Sequence, residues 1–155
     1  MTERHWLWMN LGGVSAFGLF ILISLCTAIN GPAQGAIVVI SEIIGILIFI
    51  FAVLTLFYIK DRQRWFAISI LSFVGVWIAF GIGYEMSIDA QTNNSWIWFY
   101  LYYVAFIASI VLLKFSYAKI RGLFKLTPIF FIFFNAMLTL YMVTIHIWYL
   151  LPFSE

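Results

Sequence analysis

The sequence predicts an all-α integral membrane protein, an antiparallel bundle of five transmembrane helices with a cytoplasmic N-terminus and an external C-terminus. The chain of 155 residues is 65% hydrophobic and only 9% charged, whereas soluble domains carry roughly 25% charged residues. Five apolar runs approach the ~20 residues needed to span a bilayer. Because these runs and their short connections use nearly the whole chain, residues 1–155 are predicted to form one transmembrane domain.

The first two helices are predicted at 6–28 and 36–59. An Asn-Gly-Pro stretch ending at Pro32 separates them, because proline lacks the backbone donor that a continuing helix needs. The apolar run 11–29 is longer than the roughly 7 to 15 residues of a signal-peptide core. We therefore expect the first helix to remain uncleaved.

The remaining helices are predicted at 65–86, 96–113 and 127–151. A short basic turn joins the second helix to the third, which favours an antiparallel hairpin. Pro128 is expected in the first turn of the last helix, where its missing N–H costs nothing. Between the fourth and fifth helices, the basic and apolar pattern of 114–125 is typical of a short helix lying on anionic headgroups.

The positive charges predict the orientation, because cytoplasmic loops retain Lys and Arg. Five spans place all eight basic residues on one side: Arg4, Lys60, Arg62, Arg64, Lys114, Lys119, Arg121 and Lys125. The acidic residues Glu85, Asp89 and Glu155 fall on the other side. The sequence therefore predicts a multi-pass protein of the cell (cytoplasmic) membrane.

The basic segment after the fourth helix has two interpretations. Its charge follows from topology alone, or it binds a cytoplasmic partner or an anionic lipid headgroup. The residues concerned are Lys114, Lys119, Arg121 and Lys125. We expect no nucleic acid to bind there.

Small residues recur at three- or four-residue spacing on two helices, and such faces let membrane helices approach closely. The third helix carries Ser72, Gly75, Ala79 and Gly83, and the first carries Gly12 and Ala16. These faces pack within the bundle, or one of them binds a partner protein or a second copy of the chain.

Glu42 is the most informative polar residue, since an acidic group within the hydrocarbon costs roughly 2.5 kcal/mol or more. It is either structural, protonated and hydrogen-bonded across the bundle, or it binds a proton, ligand or metal. On the fifth helix, Asn135, Thr139 and His146 lie on one stripe. That stripe is either a packing seam or the wall of a cavity open to the outside.

Glu42, His146, Glu85 and Asp89 together form a possible outer-side constellation. Carboxylates with imidazole are competent to bind a divalent metal or relay protons. Glu42 and His146 are the only weak metal candidates, and no diagnostic spacing supports them. We predict no cofactor and no catalytic residue.

Three function classes remain. The first is a non-enzymatic accessory, assembly or immunity-type subunit that contacts another membrane protein, or a homo-oligomer, through its helices. The second is a small proton-coupled transporter. The third is a membrane-embedded lipid-, quinone- or metal-binding protein or enzyme that uses Glu42 and His146. The sequence favours the first, because it contains no phosphate loop, HExxH helix or paired nucleophile.

Overall fold

A computed structural model of the chain describes residues 3–26, 32–60, 63–86 and 95–150. Within these ranges the chain contains no strand, and its helices are α1 (Glu3–Cys26), α2 (Pro32–Tyr58), α3 (Arg64–Glu85), α4 (Ser95–Lys119), a 3-10 segment (Gly122–Leu126) and α5 (Thr127–Leu150). Five of them are long and apolar enough to cross a membrane. The predicted all-helical, five-span architecture is confirmed at this level.

The helix α3 lies at the centre of the bundle. It packs against each of the other four helices, whereas α2 and α5 have at most marginal contact with each other. Half of the α3 span is buried, compared with 22–28% of the other four spans. The bundle therefore has two halves that share α3: α1 and α2 on one side, α4 and α5 on the other.

Close backbone approach joins α1 to α2. A Cβ added at Gly13 would lie 3.0 Å from the Ile48 side chain, and one added at Gly45 would lie 3.2 Å from the Phe17 ring. Small residues bring membrane helices together in this way because lipid supplies no hydrophobic drive for helices to associate.

Two apolar clusters fill the interior. In the first, Phe73 of α3 stacks on Phe131 of α5, with ring centroids 4.5 Å apart and planes at 8°, and Phe17 of α1 meets Phe73 edge-on at 6.0 Å. The second cluster joins α3, α4 and α5, and its buried members are Val76, Phe99, Tyr102, Leu138 and Met142. Aromatic rings thus supply much of the contact between the two halves.

The helix ends next to the basic residues meet at one end of the bundle, which we call the basic end. Trp6 of α1 stacks on Tyr58 of α2 at 5.1 Å, and Phe124 of the 3-10 segment contacts both Trp8 at 5.8 Å and Phe66 at 4.8 Å. The exposed basic residues that follow or precede these contacts are Lys60, Arg64, Lys119, Arg121 and Lys125.

The structure corrects the predicted interfacial helix at 114–125. The helix α4 continues past the predicted end at Leu113 and stops at Lys119, because its inward face stays buried through Leu113, Ser116 and Ile120. A lysine does not end a helix there, since its long side chain can carry the charge outward. The turn comes at Gly122, whose φ of 77° is left-handed.

The second helix also begins earlier than predicted. Pro32, which the sequence indicated as a helix stop, is the first residue of α2. Proline fits that position because its fixed φ suits the helix and its missing N–H would have no helical partner. The predicted final turn of the first helix, 27–28, lies outside the described residues.

Candidate functional site

Polar side chains link α4 to α5 along a line that we call the α4–α5 seam, formed by Tyr102, Ser109, Asn135 and Thr139. The Tyr102 hydroxyl lies 3.0 Å from Thr139 Oγ1, and Asn135 Nδ2 donates to Ser109 Oγ at 3.0 Å. Tyr102 and Asn135 are both fully buried. The seam therefore joins two helices by hydrogen bonds inside the apolar bundle.

The direction of the seam bonds follows from the donor count. Thr139 Oγ1 donates its single proton to the Asn135 backbone carbonyl at 2.8 Å, so the bond between the two hydroxyls has Tyr102 as donor and Thr139 as acceptor. The remaining acceptor, Asn135 Oδ1, is buried and has no hydrogen-bond partner. The seam thus contains one buried acceptor without a partner.

His146 lies on α5 about two helical turns beyond Thr139, and like the seam residues it contacts α4. Its ring stacks on Phe99 with centroids 4.2 Å apart and planes at 8°, and its Nδ1 lies 3.0 Å from the Tyr103 hydroxyl. If Tyr103 donates, the imidazole carries its own proton on Nε2. The structure therefore places His146 against α4, held by one aromatic face and one hydroxyl.

Glu42 lies in the other half of the bundle, where its partner is Glu85. The Glu42 carboxyl on α2 lies close enough to the Glu85 carboxyl, at the end of α3, for the two groups to interact electrostatically. Two neighbouring carboxylates repel each other unless one of them is neutral. The structure therefore brings two acidic side chains from different helices together.

The predicted outer-side constellation is assembled only in part. Glu42 and Glu85 come together, whereas His146 packs on α4, and Asp89 lies outside the described residues. Among the residues that the structure describes, no group of three or more His, Cys, Asp or Glu side chains is placed to hold a metal ion. The weak metal candidates Glu42 and His146 stand on helices with at most marginal contact.

The small residues of α3 have different surroundings. The ring of Trp98 on α4 lies directly on Gly83, in the space that a Cβ would fill, and its Nε1 donates to the Ala79 carbonyl at 2.9 Å. Ser72 is buried and donates to the Ile68 carbonyl at 2.8 Å. Gly75 has no atom within 4 Å of its Cβ position. Ala79 and Gly83 thus form a seat for one tryptophan.

On α1, Gly13 rather than the predicted Gly12 faces α2. Gly12 is exposed and has open space at its Cβ position, whereas its neighbour Gly13 meets Ile48. Ala16, one turn beyond Gly12, is only half-buried. Adjacent glycines point in directions about 100° apart on a helix, so only one of them faces α2. Gly12 is left on the surface of the bundle.

The predicted headgroup or partner residues are exposed. Lys114 and Lys119 lie on the final turns of α4, and Arg121 and Lys125 flank or belong to the 3-10 segment. The Lys125 ammonium lies 5.3 Å from the centroid of the Tyr117 ring, within the range of a cation–π contact. Lys125 is thereby directed back over the end of α4.

Sequence reasoning missed the hydroxyl groups of α4 and a polar pair at the basic end. Tyr102, Ser109 and Ser116 are spaced seven residues apart and share one buried face, a pattern visible in the sequence that was not used. Near the basic end, buried Asn10 of α1 donates to Thr55 Oγ1 of α2 at 2.6 Å. An asparagine within an apolar span signals such a contact, since it needs a partner there.

The polar groups described above have one feature in common, which is that each set lies between two helices. The seam and the Asn10–Thr55 pair supply hydrogen bonds, and Glu42 and Glu85 bring two acidic groups together. The chain matches no family model, no curated protein sequence and no solved structure.

Proposed function

We propose that the chain is a multi-pass protein of the cytoplasmic membrane, with its N-terminus in the cytoplasm and its C-terminus outside. The outward surface of the bundle supports a lipid environment, because large apolar side chains are exposed on every peripheral helix. Examples are Leu19, Ile46, Leu101 and Phe133. Contiguous apolar surface of this extent is not found on soluble monomers. The collected positive charge of the basic end supports the orientation.

We further propose that the protein acts by helix contact, as an accessory, assembly or immunity-type subunit bound to another membrane protein or to a second copy. The observation that carries the proposal is the pair of adjacent glycines on α1. Gly13 serves the contact with α2, and Gly12 offers the same close backbone approach to whatever lies outside. An exposed glycine within a helix is otherwise a cost of roughly 0.5–1 kcal/mol relative to alanine.

The polar interior is consistent with this function. Three of the residues that could have served a ligand or a proton, Asn135, Thr139 and His146, are hydrogen-bonded or stacked against α4. Such bonds fix the relative position of two membrane helices. A rigid bundle presents a constant surface to its partner.

The test is recovery of a partner with the tagged protein after extraction in a mild detergent. A defined, stoichiometric partner should remain with the wild type and be lost from Gly12→Leu, because leucine would hold the partner helix away. Gly35→Leu is the matched control, since Gly35 is also exposed with no atom within 4 Å of its Cβ position. Gly12→Leu must elute as a folded, monodisperse protein.

Recovery of the wild type as a lone monodisperse species from its native membrane would contradict the proposal. So would equal loss of the partner in Gly12→Leu and Gly35→Leu, because the contact would then have no relation to the exposed glycine of α1.

The carboxyl pair supports a second candidate, a proton-coupled carrier. Glu42 and Glu85 lie close enough to interact electrostatically, and acidic groups within membrane spans are common in proton relays. In proteoliposomes, Glu42→Gln should abolish proton-coupled flux while the protein stays folded. Full flux in both Glu42→Gln and His146→Ala would eliminate this candidate.

A further inference from the structure

A lateral groove runs between α1 and α5. Phe73 of α3 lies at its floor, Ser15 and Gly18 line the α1 side, and Phe130 and Phe134 line the α5 side. The groove encloses about 530 Å³ and exists because α1 and α5 are held apart by α3. Its walls are mainly apolar, and it faces outward, toward the medium that surrounds the bundle.

The groove is as long as one leaflet. Its lining on α1 extends from Leu11 to Leu22, which is about 16 Å at about 1.5 Å per residue. The hydrocarbon core of a bilayer is about 30 Å thick, so the groove covers about half of it. A partner helix that crosses the membrane would need a seat along the whole span, whereas an acyl chain of one leaflet needs only this length.

The groove begins at the basic end. Leu123 and Leu126 of the 3-10 segment line it there, together with Thr127. The exposed cation Lys125 directly precedes Leu126, and the exposed cation Arg121 lies two residues before Leu123. Apolar walls that end at two cations match an amphipathic anion, with its chain in the groove and its charge at the mouth.

The mouth is held in place by aromatic contacts. Phe124 packs on Phe66 at 4.8 Å and on Trp8 at 5.8 Å, which ties the 3-10 segment to α3 and α1. The left-handed turn at Gly122 sets the direction in which the segment leaves α4. Lys125 therefore stands on a fixed element, and Arg121 directly precedes that element. The exposed Lys125 side chain leaves the Tyr117 ring when it binds a headgroup at the mouth.

We propose that this groove binds one acyl chain of an anionic phospholipid from the leaflet at the basic end, and that Arg121 and Lys125 bind its headgroup. The proposal rests on the membrane placement proposed above and is independent of any protein partner. The bound lipid completes the surface between α1 and α5, which the chain itself leaves open.

The test is native mass spectrometry of the delipidated protein titrated with phosphatidylglycerol or with phosphatidylcholine of the same acyl chains. The wild type should bind phosphatidylglycerol about tenfold more tightly than phosphatidylcholine. The double variant Arg121→Gln/Lys125→Gln should lose this preference and keep the weaker binding. Lys60→Gln, a neutralised cation elsewhere on the basic end, should behave as the wild type.

A variant that fills the groove tests the contribution of its apolar walls separately from that of the two cations. Gly18→Leu, at a position with no atom within 4 Å of its Cβ, should weaken binding of both lipids about tenfold. Gly81→Leu is the matched control on α3, outside the groove lining and also open at its Cβ position, and it should bind both lipids as the wild type does. If Gly18→Leu fails to fold, Ser15→Leu provides the same blockage from the exposed side of α1.

Three results would overturn the proposal. They are equal affinity of the wild type for the two lipids, unchanged binding in the folded groove-filling variant, and equal loss of preference in Lys60→Gln and the double variant. If Gly18→Leu leaves lipid binding intact but removes a protein partner, the groove seats a helix instead. Gly12 lies outside the groove lining, so Gly12→Leu should leave lipid binding unchanged. The partner proposal and the lipid proposal can therefore fail independently of each other.

Discussion

The contact between Gly83 and Trp98 shows how one missing side chain positions a helix. The indole of Trp98 occupies the space of the absent Cβ and donates to the Ala79 carbonyl one turn away. A buried tryptophan needs a partner for its N–H, and a helix carbonyl is reachable only where no side chain stands in front of it. Gly83 therefore sets the distance between α3 and α4 at this end.

The first prediction concerns this seat. Gly83→Ala should lower the free energy of unfolding by about 1–3 kcal/mol, because the new methyl group overpacks the site against a rigid ring. Gly75→Ala, on the same helix with open space at its Cβ position, should change stability by less than about 1 kcal/mol and in the favourable direction. Thermal unfolding in detergent, followed by tryptophan fluorescence, measures both.

Equal melting temperatures for the two alanine variants would show that the Trp98 ring is not seated on Gly83. Trp98→Phe is the internal check, since a smaller ring without the N–H should relieve part of the Gly83→Ala penalty.

At the scale of elements, sequence reasoning placed the five helices because each is an uninterrupted apolar run. It misplaced two helix ends for physical reasons. The sequence predicts the start of the second helix at residue 36, but α2 begins at Pro32 because proline also opens helices. It predicts the end of the fourth helix at Leu113, but α4 is held together past this residue by the buried face that ends at Ile120. Charge marks where lipid ends, and packing determines where the helix ends.

The second prediction concerns the turn after α4. Gly122 has a φ of 77°, a region where a side chain costs roughly 1–2 kcal/mol. Gly122→Ala should therefore lower the free energy of unfolding by about that amount, and Gly122→Asn by less, because asparagine tolerates the left-handed region. Thermal unfolding of the three proteins in one detergent measures the difference.

Equal stability of Gly122→Ala and the wild type would place the turn elsewhere. If the alanine variant is destabilised, its preference for phosphatidylglycerol should also fall, since the turn positions Arg121 and Lys125.

The polar contacts were foreseen only on one of the two helices involved. The stripe Asn135, Thr139 and His146 was visible as a periodic pattern, but its partners on α4 depend on how two helices are rotated against each other. The sequence marks Glu42 as a costly residue, and its proximity to Glu85 rather than to His146 follows from the central position of α3. No pattern along one chain gives that position.

For the whole molecule, the distribution of positive charge predicts that the basic end faces the cytoplasm. The third prediction uses single cysteines in a Cys26→Ser background. Lys60→Cys and Lys119→Cys, exposed at the basic end, should be protected from a membrane-impermeant maleimide in intact cells and react after lysis. Met86→Cys, which is 67% exposed at the opposite end of α3, should react in intact cells. The reverse labelling pattern would invert the topology.

The most direct test of contact-based function is site-specific photocrosslinking in the native membrane. A diazirine analogue of methionine at Met9, which is 40% exposed on α1 one turn from Gly12 and does not line the lipid groove, should give one adduct with a defined membrane protein or a second copy. That adduct should disappear in the Gly12→Leu background. The same analogue in place of Leu101, which is 59% exposed on α4, should crosslink to lipid. A Met9 adduct that contains only lipid, or a protein adduct that persists in Gly12→Leu, would contradict the account.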